Sequence, residues 1–203
     1  LQRLAAADSR IKVCFREENG HISRASNTAL EMASGDWITL LDHDDMLLPQ
    51  TLARIALEAN RYPEARFIYS DEDKITIDGT PVAPYFKPDW NPLFLKSQNY
   101  ICHCSSIRRE DLQAVGGFRV GFEGSQDWDL FLRLGEHLPD DAIRHIPEVL
   151  YHWRIIPGSS AASVGEKSYS VQASRKAVEE AVDWKEGASW TLAAGMYWIC
   201  SPR

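Results

Sequence analysis

The chain has 203 residues, 44% apolar, 10% aromatic and 25% charged, proportions that support one sizeable core and exclude a disordered, collagenous or coiled-coil protein. Its 29 Asp and Glu against 22 Lys and Arg leave a net charge of -7, which argues against a broad electrostatic grip on nucleic acid or anionic lipid. No apolar run approaches the roughly 20 residues of a membrane span, and Leu1-Gln2-Arg3-Leu4 is neither a signal peptide nor an initiator, so the chain reads as a piece of a longer one.

Ile11 to Phe15 alternates like a short strand, and apolar residues at Ile22, Ala25, Ala29 and Ala33 then fall at helical spacing until Ser34-Gly35. Trp37 to Leu41 is a continuous apolar run, the pattern of a strand buried on both faces of a parallel sheet. Asp42-His43-Asp44-Asp45 follows it at once, and Pro49 opens a helix with Leu52, Ile55, Ala56 and Ala59 on one face. Phe67 to Ser70 is a further strand running into Asp71-Glu72-Asp73, and Asp78-Gly79 marks a tight turn. Residues 81–92 carry four prolines among Tyr85, Phe86 and Trp90 and read as a pinned loop. Asn99 to Ile107 reads as a strand, Glu110 to Val115 as a short helix, and Gly121 to Gln126 as a glycine-rich approach to a helix beginning near Asp127. Ile143 to Trp153 is strand-like, Gly158-Ser159-Ser160 is a loop, 168–182 is an amphipathic helix, and Trp190 to Cys200 is strand-like with no evident partner. Strands and helices alternating at this spacing imply an α/β domain, whose ligand crevice lies at the carboxyl ends of its strands.

Three aspartates within four residues repel one another, so a fold that gathers them compensates with a cation or with solvent. A divalent metal with hard oxygen ligands is one reading, and a solvated acidic turn before a helix is the other. Gln126-Asp127-Trp128-Asp129 places a carboxylate where it can take a proton from a hydroxyl, or where it merely caps a helix. Tyr151-His152-Trp153-Arg154 ends a strand. Four scattered cysteines indicate reduced thiols, and Cys102-His103-Cys104 lacks the second ligand pair of a zinc site.

The order of these pieces resembles the inverting family 2 glycosyltransferases of GT-A fold, especially the bacterial branch that builds O-antigen and other surface polysaccharides. The likeness runs from about Ile11 to Ala181. It rests on the helix Ile22-Ser23-Arg24-Ala25-Ser26-Asn27 before Gly35-Asp36-Trp37-Ile38, and on Asp42-His43-Asp44-Asp45, Tyr69-Ser70-Asp71-Glu72-Asp73, Phe86-Lys87-Pro88-Asp89-Trp90, Gly116-Gly117-Phe118, Gln126-Asp127-Trp128-Asp129-Leu130 and Leu150-Tyr151-His152-Trp153-Arg154.

The resemblance implies a Rossmann-like, mixed and mostly parallel sheet flanked by helices and lacking its first strands, with 1–183 a partial GT-A domain and 184–203 an extension or the start of a further segment. It implies metal-dependent transfer of a sugar from a UDP- or dTDP-linked donor to a saccharide or lipid-linked saccharide hydroxyl. Asp127 would be the catalytic base and Trp128 an acceptor platform. Asp44 and His152 would hold Mn²⁺ or Mg²⁺, and Asp42, Asp45, Arg24, Asn27, Asp71 and Asp73 would serve the donor. Gln126 stands where relatives often carry Glu. The implied setting is cytoplasmic, at the inner face of the plasma membrane, with membrane association only through other parts of the chain and no nucleic-acid partner. A non-catalytic carbohydrate- or protein-binding domain derived from such an enzyme is the alternative, and a two-metal phosphohydrolase would need further ligands.

Overall fold

A computed structural model describes residues 1–156, 168–182, 189–193 and 196–200, the last two stretches as backbone. The loop expected at Gly158 to Ser160 lies outside the described residues. In chain order the elements are α1 (Gln2–Ala7), α2 (His21–Met32), β1 (Trp37–Thr39), β2 (Met46–Leu47), α3 (Thr51–Arg61), β3 (Phe67–Ile75), β4 (Pro81–Tyr85), α4 (Pro92–Ser97), β5 (Ser105–Arg108), α5 (Arg109–Ala114), α6 (Gln126–His137), β6 (Ile143–Arg154), α7 (Ser168–Ala181), β7 (Ser189–Ala193) and β8 (Met196–Cys200), with one 3₁₀ turn at Asp140–Ala142.

One mixed sheet runs β1-β5-β3-β6-β2, with β4 also paired to β3. The α/β class expected from the sequence holds, but the mostly parallel pairing does not. Only β3 and β6 run parallel, aligning Tyr69 with His145 and Asp73 with His152, while the other pairings within this sheet are antiparallel. A continuous apolar run reports burial on both faces and says nothing about a neighbour's direction. β1 is in fact half-buried at one end of the sheet order, where it pairs with β5 alone.

β3 is the central strand, and period-two alternation divides its side chains between two cores. Phe67 and Tyr69 pack on α6, with the rings of Phe67 and Phe131 5.3 Å apart, while Ile68 meets Ile55 of α3 and Ile146, Leu150 and Tyr151 of β6. Thr51 at the start of α3 donates to the Leu150 carbonyl at 2.6 Å, which ties that helix to β6. α4 begins at Pro92 behind Asn91, whose Oδ1 accepts from the Phe94 N–H at 2.9 Å.

Five local expectations fail. Ile11 to Phe15 forms no strand, and the strand expected over Asn99 to Ile107 begins only at Ser105. The proline-rich 81–92 loop contains β4, which tolerates Pro81 and Pro84 because its only partner is β3. The residues Ile22, Ala25 and Ala29 lie on the exposed side of α2, and Ser23 is its buried residue. The strand-like C-terminal residues do find a partner: β7 and β8 form an antiparallel pair with Trp190 opposite Ile199.

Candidate active site

The acidic loop between β1 and β2 is stapled to the end of β6. Asp45 Oδ2 accepts from the Tyr151 hydroxyl at 2.6 Å, and its Oδ1 accepts from the Arg154 N–H at 2.8 Å. Arg154 Nε donates to the Asp44 carbonyl at 2.7 Å, and the Asp42 N–H donates to the Tyr151 oxygen at 3.2 Å. Burial and the adjoining Asp45 carboxylate raise the Tyr151 pKa, so the phenol stays protonated and donating. The Asp42 carboxylate takes no part in this stapling. Its pKa is raised, chiefly by desolvation and further by Asp45, Asp127 and Asp44, with His103 pulling the other way.

His103 forms the opposite wall, with Nε2 3.9 Å from Asp42 Oδ2. Behind it Glu72 Oε2 accepts from the His103 N–H at 3.0 Å and from Lys87 Nζ at 3.0 Å. Lys87, whose ammonium is fully enclosed, also donates to the carbonyls of Ile101, at 2.5 Å, and His103. Burial would raise the Glu72 pKa, but Lys87 and His103 outweigh it and hold the carboxyl below its ordinary value. Burial likewise opposes charge on His103, and the Glu72, Asp42 and Asp127 carboxylates outweigh it, raising the imidazole pKa.

The third wall is the first turn of α6. Gly124, at φ +88°, turns the chain into that helix in a conformation that suits glycine. Asp127 is half-buried, and its Oδ2 accepts from Asn99 Nδ2 at 2.7 Å. Asn99 Oδ1 is buried without a hydrogen bond among the described residues. The Asp127 charge is felt at Asp42, His103 and Cys102, so carboxylates more than eighty residues apart in the chain act on one another. Desolvation pushes the Cys102 pKa far above that of a free thiol, so the thiol stays protonated there.

The structure therefore groups Asp42 and Asp45 with His103, and the Asp127 charge acts on Asp42 and His103. Asp44 is on the same loop, half-buried, with His43 Nδ1 3.6 Å from its carboxylate. His152 is turned to a different acid, its Nδ1 against Asp73, with both side chains largely buried. Asp71 accepts from the Lys87 N–H at 2.9 Å and pairs with His145 Nε2 at 2.9 Å, so its carboxylate is already occupied. Asn27 grips the Phe118 backbone through both amide atoms, at 2.7 and 2.8 Å, and Arg24 is exposed on α2. Trp128, expected as a sugar platform, lies in the core at 4% exposure with its indole N–H on the Leu95 carbonyl at 2.7 Å.

Sequence reasoning passed over His103, Glu72, Lys87 and Asn99 as site residues. Lys87 and Glu72 sat inside quoted motifs, and that was the only signal they gave. Asp42, Asp45 and His103 each offer a ligand atom within 4.8 Å of the others. Two hard carboxylates and an imidazole fit a divalent cation of the Mg²⁺ or Mn²⁺ type.

The chain resembles known proteins over nearly its whole length. It is 47% identical over 195 residues to an uncharacterized protein, y4gI, of Sinorhizobium fredii, covering 96% of this chain and 22% of that one. It is 39% identical over 180 residues to the O-antigen biosynthesis protein RfbC of Myxococcus xanthus, covering 89% of this chain and 14% of that one. It thus spans under a quarter of the length of these relatives. The crystal structure of S. aureus TarS 1-349 in complex with UDP-GlcNAc superimposes with a TM-score of 0.65 at 17% identity, over 91% of this chain and 56% of that one, and the shared architecture is the GT-A fold. No helix among the described residues is long and apolar enough to cross a membrane. The sequence model of glycosyl transferase family 2 matches residues 1–116, more than half of the chain, and the chain belongs to that family.

Proposed function

We propose that this domain performs inverting, metal-dependent transfer of a sugar from a UDP- or dTDP-linked donor to a saccharide or lipid-linked saccharide hydroxyl, in surface polysaccharide assembly at the inner face of the plasma membrane. The observation that carries the reading is the grouping of Asp42, Asp45 and His103 within ligand distance of one another, with the Asp127 charge acting on Asp42 and His103. The O-antigen relative and the UDP-GlcNAc complex of TarS support the substrate class.

In this reading the carboxylates of the 42–45 loop hold the cation, Asp44 among them as the family resemblance implies. When bound, the cation supplies Lewis-acid stabilisation of the charge that develops on the departing diphosphate. Tyr151 and Arg154 fix the loop, so its acids are set in place before the donor arrives. Asp127 takes the proton of the acceptor hydroxyl as it attacks the anomeric carbon from the side opposite the diphosphate, and inversion follows from one such displacement. Asn99 holds one Asp127 oxygen, which leaves the other for that hydroxyl. The 1–183 stretch carries all of these residues.

Thermal shift with a panel of UDP- and dTDP-sugars, with and without Mn²⁺, tests the reading, since a ligand of the native state raises Tm by mass action. A rise for at least one nucleotide sugar that requires Mn²⁺ is expected, together with release of free nucleotide diphosphate when a saccharide acceptor is added. Binding without transfer would favour the non-catalytic alternative, and no nucleotide binding at all would overturn the proposal.

A further inference from the structure

Going beyond the transfer reading, and resting on it only for the source of the ligand, we propose that the cavity between residues 88–92 and the start of β6 binds a neutral saccharide. Trp90 is its stacking wall, and Asp89, Asp140 and Asp141 accept from the sugar hydroxyls. The cavity has a volume of about 390 Å³ and is also lined by Pro92 and His145. That volume lies in the range of small-ligand sites, about 300–1,000 Å³. It stands apart from the acidic loop. His145 precedes His152, the partner of Met46 at that loop, by seven residues of β6, a span of roughly 23 Å in an extended strand.

The indole is seated before any ligand arrives. Its N–H donates to Asp140 Oδ1 at 2.6 Å, and its benzene edge rests on Gly135 of α6, where a Cβ would come within 2.8 Å of Cη2. Glycine weakens a helix, and here it makes the room that the ring occupies. The chain around Trp90 is pinned almost residue by residue. The Lys87 N–H donates to Asp71 at 2.9 Å, the Pro88 carbonyl accepts from the Tyr69 hydroxyl at 2.7 Å, and the Asn91 N–H donates to the Tyr100 oxygen at 2.9 Å. Asp89 Oδ1 lies 3.1 Å from Nδ1 of His145, whose side chain is 4% exposed, stacked on Tyr69 and paired with Asp71. A wall fixed in this way has little freedom left to lose on binding.

The chemistry of the lining selects the ligand. With its N–H already engaged, Trp90 offers flat apolar surface rather than a donor. A pyranose matches it with a face of C–H bonds, and the hydroxyls around its ring are donors. Ionised carboxylates only accept. Asp89 and Asp140 are each held through Oδ1, and the Oδ2 of each takes no hydrogen bond among the described residues. Three acids repel a phosphate or carboxylate ligand. A single cation is poorly served, since among the described residues these acids form no group of three ligand atoms within 4.8 Å. α6 relates the cavity to the reaction. Asp127 stands in its first turn and Gly135 in its last, about 12 Å apart along the axis, a distance that a short oligosaccharide can span.

The 203-residue chain labelled with 5-fluorotryptophan tests this by ¹⁹F NMR, in EDTA and without nucleotide, as neutral tetrasaccharides of glucose, galactose, mannose and N-acetylglucosamine are titrated in turn. The Trp90 resonance is the one missing from Trp90→Phe. It is expected to shift with at least one tetrasaccharide, and the affinity should fall at least about tenfold in Asp141→Lys, at an exposed position, through loss of a charged acceptor. Mn²⁺-dependent nucleotide-sugar binding should be unchanged in Asp141→Lys. No Trp90 shift with any tetrasaccharide would overturn the proposal, as would unaltered saccharide affinity in Asp141→Lys, or a Trp90 shift given by tetralysine or Ca²⁺ but by no saccharide. A responding Trp90 in a chain that binds no nucleotide sugar leaves the saccharide site standing and overturns the transfer reading. A silent Trp90 in a chain that does bind one has the reverse meaning. Saccharide affinity in Asp141→Lys, measured by calorimetry, decides the matter even if Trp90→Phe does not fold.

Discussion

Asp127 and Asp129 stand two residues apart in the first turn of α6, yet the molecule treats them in opposite ways. Asp129 is 1% exposed and clamped by Arg119 and Arg133, with Arg133 Nη2 at 2.8 Å. Asp127 is half-buried and held only through one oxygen by a neutral amide. The acidic loop repeats the division, since Asp45 is fully engaged by Tyr151 and Arg154 while Asp42 faces His103 across a gap. Each cluster thus contains one acid engaged through both oxygens and one less engaged, and composition alone makes the two look alike.

That contrast can be broken by exchange of charge for amide. Asp127→Asn should lower sugar transfer by about two to four powers of ten, the usual range for a general base, while donor binding by thermal shift persists. Unchanged turnover would remove Asp127 from the mechanism. Asp129→Asn should do the reverse, lowering stability in urea denaturation by about 3 kcal/mol because the arginine charges lose their buried partner. A loss under 1 kcal/mol would show that the two acids are not so different. Tyr151→Phe should cost about 1 kcal/mol of stability, and it should weaken Mn²⁺-dependent donor binding by freeing the acidic loop. The smallest effect is on labelling. Iodoacetamide at pH 8 should modify exposed Cys14 well before Cys102 and Cys104, whose thiols burial pushes up, that of Cys104 to about 12. Equal labelling of Cys102 would mean that the wall carrying His103 opens readily.

Helices at regular spacing were legible in the sequence, as α3, α6 and α7 attest, because a 3.6-residue period survives without tertiary help. The face of α2 was not legible. Asn27 points inward for hydrogen-bonding reasons that an apolar stripe does not encode, closing on Phe118 where Gly117, at φ +65°, leaves no room for a Cβ. The acids of the site announced themselves by crowding. His103 did not, since a lone histidine between two cysteines carries no periodic signal and its partner Glu72 lies 31 residues earlier. Trp128 misled in the other direction, because an indole suits a sugar face and a core equally well until its N–H finds the Leu95 carbonyl.

The three consecutive acids of β3 carry one further implication. Asp71, Glu72 and Asp73 are all buried, and each meets a different base, His145, Lys87 or His152. Sliding this strand by one residue against β6 would part Asp71 from His145 and Asp73 from His152. Strand alignment here is keyed by these acid–base pairs as a lock is by its pins, so the register of β3 on β6 is specified by buried polar partners as well as by the apolar faces.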